Sequence, residues 1–158
     1  MRKWKRLLKE YTVKKLTPIP WLKNLQKGQR TMKIDHIAIA VKNIEDAIEK
    51  WSLFLNSNPS IKEIESEGIK LFFIKIGDTK IEIISPLNEK SNLNNFLNKR
   101  GEGLHHICLS VENFDEFRKK LQDKNIQIVK EGKGYDGKRI LFCHPSSLNS
   151  VLLEIKEI

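Results

Sequence analysis

A chain of 158 residues has room for one domain of ordinary size, or for two small modules that share a core, and is too short for a multidomain protein. Its formal net charge of +9 is concentrated in residues 1–31, which hold ten of the 29 Lys/Arg against the single acid Glu10; the remaining nineteen basic and nineteen acidic residues balance, so the body lacks the clustered positive charge that nucleic-acid binding requires. No apolar run approaches the roughly 18 residues of a membrane span, and Cys108 and Cys143 sit in apolar runs as expected of reduced thiols in a cytoplasmic protein.

Residues 1–31 read as a basic extension. Trp4, Leu7, Leu8 and Tyr11 fall on one helical face among lysines, and Thr17-Pro18-Ile19-Pro20 stops that helix before a second apolar group, Trp21, Leu22 and Leu25. Such a segment suits an anionic membrane surface or a mitochondrial presequence. The plainer reading is preferred: a solvated extension, or an upstream start codon misread, since Met32 directly precedes the first strand.

From Lys33 the pattern repeats. Ile34-Asp35-His36-Ile37-Ala38-Ile39-Ala40-Val41 is matched seventy residues later by Leu104-His105-His106-Ile107-Cys108-Leu109-Ser110-Val111, and an asparagine suited to N-cap a helix follows each, Asn43 and Asn113. The first helix carries Ile44, Ala47, Ile48 and Trp51 on one face. The second carries Phe114, Phe117 and Leu121, with Glu116 placed to complete a capping box. Three short β-rich runs follow in each copy, about 61–64, 70–76 and 80–84, then about 126–129, 139–143 and 151–156. A linking helix over 91–100, capped by Ser91 and ended by Gly101, joins module 1 (about 32–85) to module 2 (about 103–158). The order is βαβββ twice.

Duplicated units place equivalent residues symmetrically about a shared cleft. In the first strands Ile37, Ile39 and Val41 face one way, toward the module's helix, and His36, Ala38 and Ala40 face the other. Ile107, Leu109 and Val111 likewise oppose His106, Cys108 and Ser110. A histidine followed by small residues leaves space above the strand that a core strand would fill. The last strands set Glu82 between Ile81 and Ile83, and Glu154 between Leu153 and Ile155. A lone strand histidine is usually structural and a lone strand glutamate usually faces water; repetition of both in both copies makes His36, Glu82, His106 and Glu154 a candidate divalent-metal site. By alternation His105 turns to the opposite face as a structural residue, while His144, before Pro145, either orients substrate or caps a turn.

Asp35-His36-Ile37-Ala38-Ile39-Ala40-Val41, Gly77-Asp78-Thr79-Lys80-Ile81-Glu82-Ile83, Lys99-Arg100-Gly101-Glu102-Gly103-Leu104-His105-His106-Ile107, and His144-Pro145 followed by Val151-Leu152-Leu153-Glu154 resemble the methylmalonyl-CoA epimerase family of vicinal oxygen chelate enzymes. The likeness spans about Met32 to Glu157, and Gly-Glu-Gly-Leu-His-His-Ile is its most specific part. It implies an α+β fold, two tandem βαβββ modules forming a cupped, barrel-like mixed sheet around a metal cleft. It further implies His36, His106 and Glu154 as metal ligands with Glu82 at the family's fourth position, a divalent cofactor (cobalt first, then manganese, nickel, zinc or iron), an acyl-CoA substrate and a homodimer. The location expected is cytoplasmic, or the mitochondrial matrix in a eukaryote.

Epimerisation moves a proton from one face of carbon 2 to the other and needs two acid/base groups, for which Glu82 and Glu154 are the candidates. The sequence departs from the family twice: Leu71 stands where some bacterial members carry a catalytic glutamate, and Asn149-Ser150 stand where glycines usually precede the last strand. A glyoxalase I-like lactoylglutathione lyase, an extradiol dioxygenase and a metal-free small-molecule binder are the competing members of this fold.

Overall fold

The two first strands of the repeat, β1 (Met32–Ala40) and β5 (Gly103–Val111), lie antiparallel at the centre of one eight-stranded sheet. The computed structural model describes residues 32–158; the expectations for residues 1–31 fall outside the described residues. On one side β1 pairs in parallel with β4 (Thr79–Pro86), which continues antiparallel into β3 (Ile69–Ile76) and β2 (Lys62–Ile64). On the other, β5 pairs in parallel with β8 (Leu153–Glu157), followed antiparallel by β7 (Arg139–Cys143) and β6 (Ile128–Lys133). The order β2-β3-β4-β1-β5-β8-β7-β6 thus has an internal two-fold pattern, with each module building outward from the central pair. The sheet curls into a half-barrel, and an ion pair between Glu67, in the turn after β2, and Lys130 of β6 joins its two outer edges.

The helices cover the bulky strand face in part: Val41 and Val111 are buried, whereas Ile37, Ile39, Ile107 and Leu109 are half-buried. Ile44 and Ala47 of α1 (Ile44–Trp51) pack on Val41, Phe72, Ile74 and Ile83, and Phe114 and Leu121 of α3 (Phe114–Asp123) pack on Val111, Leu141, Cys143 and Ile155. Asn43 caps α1, its Oδ1 accepting the Asp46 N–H at 2.9 Å. Asn113 makes no side-chain cap bond at α3, so its half of the expected capping box is not formed; Glu116 pairs with Lys120, one turn on. The small-residue face is not left open over its whole length. Leu93 and Leu97 of α2 (Leu93–Arg100) pack onto Ala38 and Ala40 together with Leu71 and Ile84, so the linking helix covers one end of the cup. Ser91 lies two residues before α2 and accepts the Leu93 N–H with its Oγ at 3.3 Å, while Gly101, at φ +77°, ends the helix by donating to the Leu97 carbonyl at 2.9 Å.

Two strands differ in position from the sequence expectation: β8 begins at Leu153 rather than about 151, and β6 is displaced further. β6 covers Ile128–Lys133 rather than 126–129, because α3 leads through Lys124 into Asn125, at φ +56°, and the chain straightens only beyond Gln127. Its later residues, Lys130 to Lys133, are polar and exposed, as an edge strand allows, so apolar alternation carries no trace of them.

Asn149 and Ser150, in place of the glycines expected before β8, adopt φ +53° and +68°. The backbone demand is therefore retained without the residue that meets it most cheaply, since left-handed backbone costs an L-residue about 1–2 kcal/mol. Ser150→Gly is expected to stabilise the protein by about 0.5–1 kcal/mol net of the extra chain entropy. Chemical denaturation measures this; a lowered midpoint would show that the serine side chain holds the turn.

Candidate metal centre

The strand register assembles the four candidate residues in two equivalent rows on the concave face. In one row Phe73 of β3, Glu82 of β4, Ala38 of β1 and His106 of β5 are successive cross-strand partners; in the other, Phe142 of β7, Glu154 of β8, Cys108 of β5 and His36 of β1 are. A small residue, Ala38 or Cys108, separates glutamate from histidine in each row, and this lets the longer side chains lean together above it. Histidine Nε2 atoms of the two rows meet at 3.2 Å. Glu154 Oε2 lies 2.9 Å from His106 Nε2 and 3.3 Å from His36 Nε2, and Glu82 Oε2 lies 3.4 and 3.8 Å from His36 and His106. All four residues are buried.

These spacings suit a shared ion. Ligand bonds of about 2.0–2.2 Å place neighbouring donors about 3.0–3.4 Å apart, and His36, His106 and Glu154 each offer one donor atom within 4.8 Å of the others. Tautomers agree as well. Asp35 accepts the Nδ1–H of His36 at 2.7 Å, which turns the His36 Nε2 toward the cluster, where it carries a proton or, once that proton is lost, can hold an ion.

A β-bulge makes that contact possible. Between Ile34 and His36 the pairing with β5 slips by one residue, so Asp35 joins His36 on the concave side instead of alternating away. The same slip recurs between Ala38 and Ile39, opposite His105 in β5. His105 therefore does not turn to the opposite face as alternation predicts: its Nδ1 lies 2.9 Å from Nδ1 of His106, and its ring packs edge-on against Phe96. Burial holds His105 down to about 4, with the neighbouring His106 adding to the effect. A neutral His105 can accept the Nδ1–H of His106 and leave its Nε2 for a ligand.

Electrostatics favour positive charge at the centre. Burial, the largest influence on His36, opposes its charged form, yet Asp35, Cys108, Glu154 and Glu82 together push it up to about 12. The carboxylates are driven apart. Burial raises Glu82 above the ordinary range, whereas Glu154 overcomes burial through hydrogen bonds from His106 and His36 and is held down to about 2.

Several residues that support this centre were given no role by the sequence. Lys80 Nζ pairs with Asp35 at 3.0 Å, and the buried Lys156 lies 3.7 Å from the same carboxylate and 2.6 Å from Asp136, so His36 rests on Asp35, which rests on two lysines. Leu71 lines the chamber beside the four candidate ligands, where it offers bulk and no base. His144 lies elsewhere, capping the turn at 145–147 by accepting the Ser146 N–H at 3.1 Å. Cys108 and Cys143 are buried and free.

Residues 35–143 match the model of the Glyoxalase/Bleomycin resistance protein/Dioxygenase superfamily. The chain is 34% identical to the mitochondrial methylmalonyl-CoA epimerase of Dictyostelium discoideum over 79% of its own length and 78% of that protein. It is 33% identical to the ethylmalonyl-CoA/methylmalonyl-CoA epimerase of Cereibacter sphaeroides over 80% of its length and 98% of that protein. Among solved structures, a variant of the Streptomyces coelicolor methylmalonyl-CoA epimerase in complex with 2-nitronate-propionyl-CoA superposes with a TM-score of 0.73, at 27% identity over 79% of this chain and 93% of that one.

Proposed function

We infer the reaction from the family: this chain belongs to the methylmalonyl-CoA epimerase family of the glyoxalase/bleomycin resistance protein/dioxygenase superfamily, and it inverts carbon 2 of methylmalonyl-CoA. The observation that carries the reading is the placement of two carboxylates, Glu82 and Glu154, at equivalent points of the two modules around one buried histidine pair. The reaction is assigned to residues 32–158.

Inversion requires that one group take the carbon 2 proton and another return one from the opposite face. Glu82 and Glu154 project from β4 and β8, on opposite sides of the central strands, which supplies two faces from one repeat. Whichever carboxylate is ionised takes the proton; the electron pair of the C–H bond stays with the substrate as an enolate. The other, protonated carboxyl gives its proton to carbon 2 from the far side, and the two exchange roles for the reverse direction. Their opposite shifts, Glu82 upward and Glu154 downward, match one protonated and one ionised member. Asp35 and His105 hold the two imidazoles in place from behind. His36, His106, Glu154 and Glu82 would hold one divalent ion, cobalt foremost with manganese, nickel, zinc or iron as alternatives, and when bound it supplies positive charge against the negative charge of the enolate. Burial of the four ligands keeps bulk water from the carbanionic carbon.

No helix among the described residues is long and apolar enough to cross a membrane; we place the enzyme in the cytoplasm, or in the mitochondrial matrix of a eukaryote, as a homodimer.

Incubation with a single enantiomer of methylmalonyl-CoA in deuterated water tests the reaction. The expected outcome is formation of the other enantiomer with deuterium at carbon 2, and no turnover of the hemithioacetal of methylglyoxal and glutathione. Turnover of the hemithioacetal alone would replace this reading by a lactoylglutathione lyase.

A further inference from the structure

We propose that Tyr135 is a specificity-determining residue, the wall that limits the substituent on carbon 2 to a methyl group; this rests on the epimerase reading above. Tyr135 lines the chamber over His36, Glu82, His106 and Glu154, which has a volume of about 80 Å³. Adjoining hollows that share His106 with it, about 280 and 390 Å³, are several times larger and have the size for the remainder of a thioester. The reacting end of the substrate therefore meets the tightest space in the cleft, and one side of that space is an aromatic ring.

The ring is held from the whole floor of the cup. It comes from the tight turn between β6 and β7, where Gly137, at φ +80°, donates to the Gly134 carbonyl at 2.9 Å and Gly134 donates to the Lys138 carbonyl at 2.9 Å. Asp136 staples the turn to buried Lys156 at 2.6 Å. The Tyr135 ring packs on Phe73 of β3 with centroids 4.8 Å apart, and Phe73 in turn lies edge-on to the His36 ring at 6.2 Å. Ammonium groups of Lys62, Lys156 and Lys80 surround the ring at 4.5, 5.0 and 5.8 Å from its centroid, and Lys80 Nζ also donates to the phenol oxygen at 3.4 Å. Such cation–π contacts are attractive, and strengthen where the cation is shielded from water, as Lys156 is. A wall fastened to β2, β3, β4 and β8 cannot retreat for a longer substituent without breaking these contacts together. A yielding wall would accommodate an added methylene; a fixed one rejects it.

One methylene against a fixed apolar wall changes specificity by about 10- to 200-fold. The wild-type protein is thus expected to prefer methylmalonyl-CoA over ethylmalonyl-CoA by a ratio of kcat/KM values in that range, and Tyr135→Ala is expected to reduce the ratio at least about tenfold. Tyr135→Phe keeps the ring, loses only the Lys80 hydrogen bond and is expected to keep the ratio. Tyr135→Leu, shorter but still apolar against Phe73, gives the same reading as Ala should the alanine variant fail to fold. An unchanged ratio in folded Ala or Leu variants that still epimerise methylmalonyl-CoA overturns the proposal, as does equal loss on both substrates, which would give the ring a part in the chemistry. Absence of epimerisation of either thioester by the wild-type protein would instead overturn the reaction assigned above.

Discussion

Replacing His106 by Ala is expected to leave the purified protein without its divalent ion and to bring epimerisation to background. His106 Nε2 is the atom that binds the cluster together, 2.9 Å from Glu154 Oε2 and 3.2 Å from His36 Nε2. Without it one module contributes no imidazole, and Glu154 loses the first of the hydrogen bonds that hold it ionised in a buried position. A buried carboxylate left without its partner regains its proton, so the loss of one ligand weakens a second. His105→Ala offers the informative contrast. His105 meets His106 through the Nδ1–Nδ1 contact and an edge-on ring contact with centroids 5.2 Å apart, so its removal frees the His106 ring to turn while leaving it in place. Loss of such a supporting contact typically costs 10- to 100-fold in metal affinity. Elemental analysis of the two variants, with metal titration of His105→Ala, checks the order. If His106→Ala kept its ion while His105→Ala lost it, the two rows described above would not be the ligand rows.

The repeat is the part of this molecule that the residues state most openly. Two copies of one apolar alternation, seventy residues apart, specify the central strand pair, and the bulky faces Ile39-Val41 and Leu109-Val111 meet the helices that alternation assigns to them. The four candidate ligands could be listed from the same repetition. What remained illegible is of two kinds. Bulges are invisible to a strict two-residue period, so the period sends Asp35 and His105 to the wrong face and misses both of the groups that steady the ligand imidazoles. Long-range charge pairing is invisible too. Lys80 lies in a quoted motif but nothing there pairs it with Asp35, Lys156 and Asp136 carry no spacing that marks them, and only the curl of the sheet brings the β6–β7 turn over β3 and β8. The linking helix lay between these cases: its span and its ends at Ser91 and Gly101 were legible, but not that Leu93 and Leu97 would close the cup over Ala38 and Ala40.

Glu82→Gln is expected to keep the ion bound while epimerisation falls by about 10²- to 10⁴-fold, the loss associated with removing a general base. On this side of the chamber β3 presents Leu71, apolar bulk and no base, and Glu67 in the turn before it is paired with Lys130. Glu82 is the remaining group on β4 that faces the histidines, and it is the carboxyl of the pair that burial drives toward its protonated form. The amide of glutamine has the same shape and still presents an oxygen to the centre, but its basicity is negligible, so binding and proton transfer are separated by one atom. A variant with Glu154 as its surviving base is expected to exchange the carbon 2 proton of one enantiomer for deuterium without inverting it. Proton NMR in deuterated water follows that exchange, and elemental analysis confirms that the ion is retained. Near-normal epimerisation by the metal-loaded variant would remove Glu82 from the proton path and require a second base among the other residues lining the chamber.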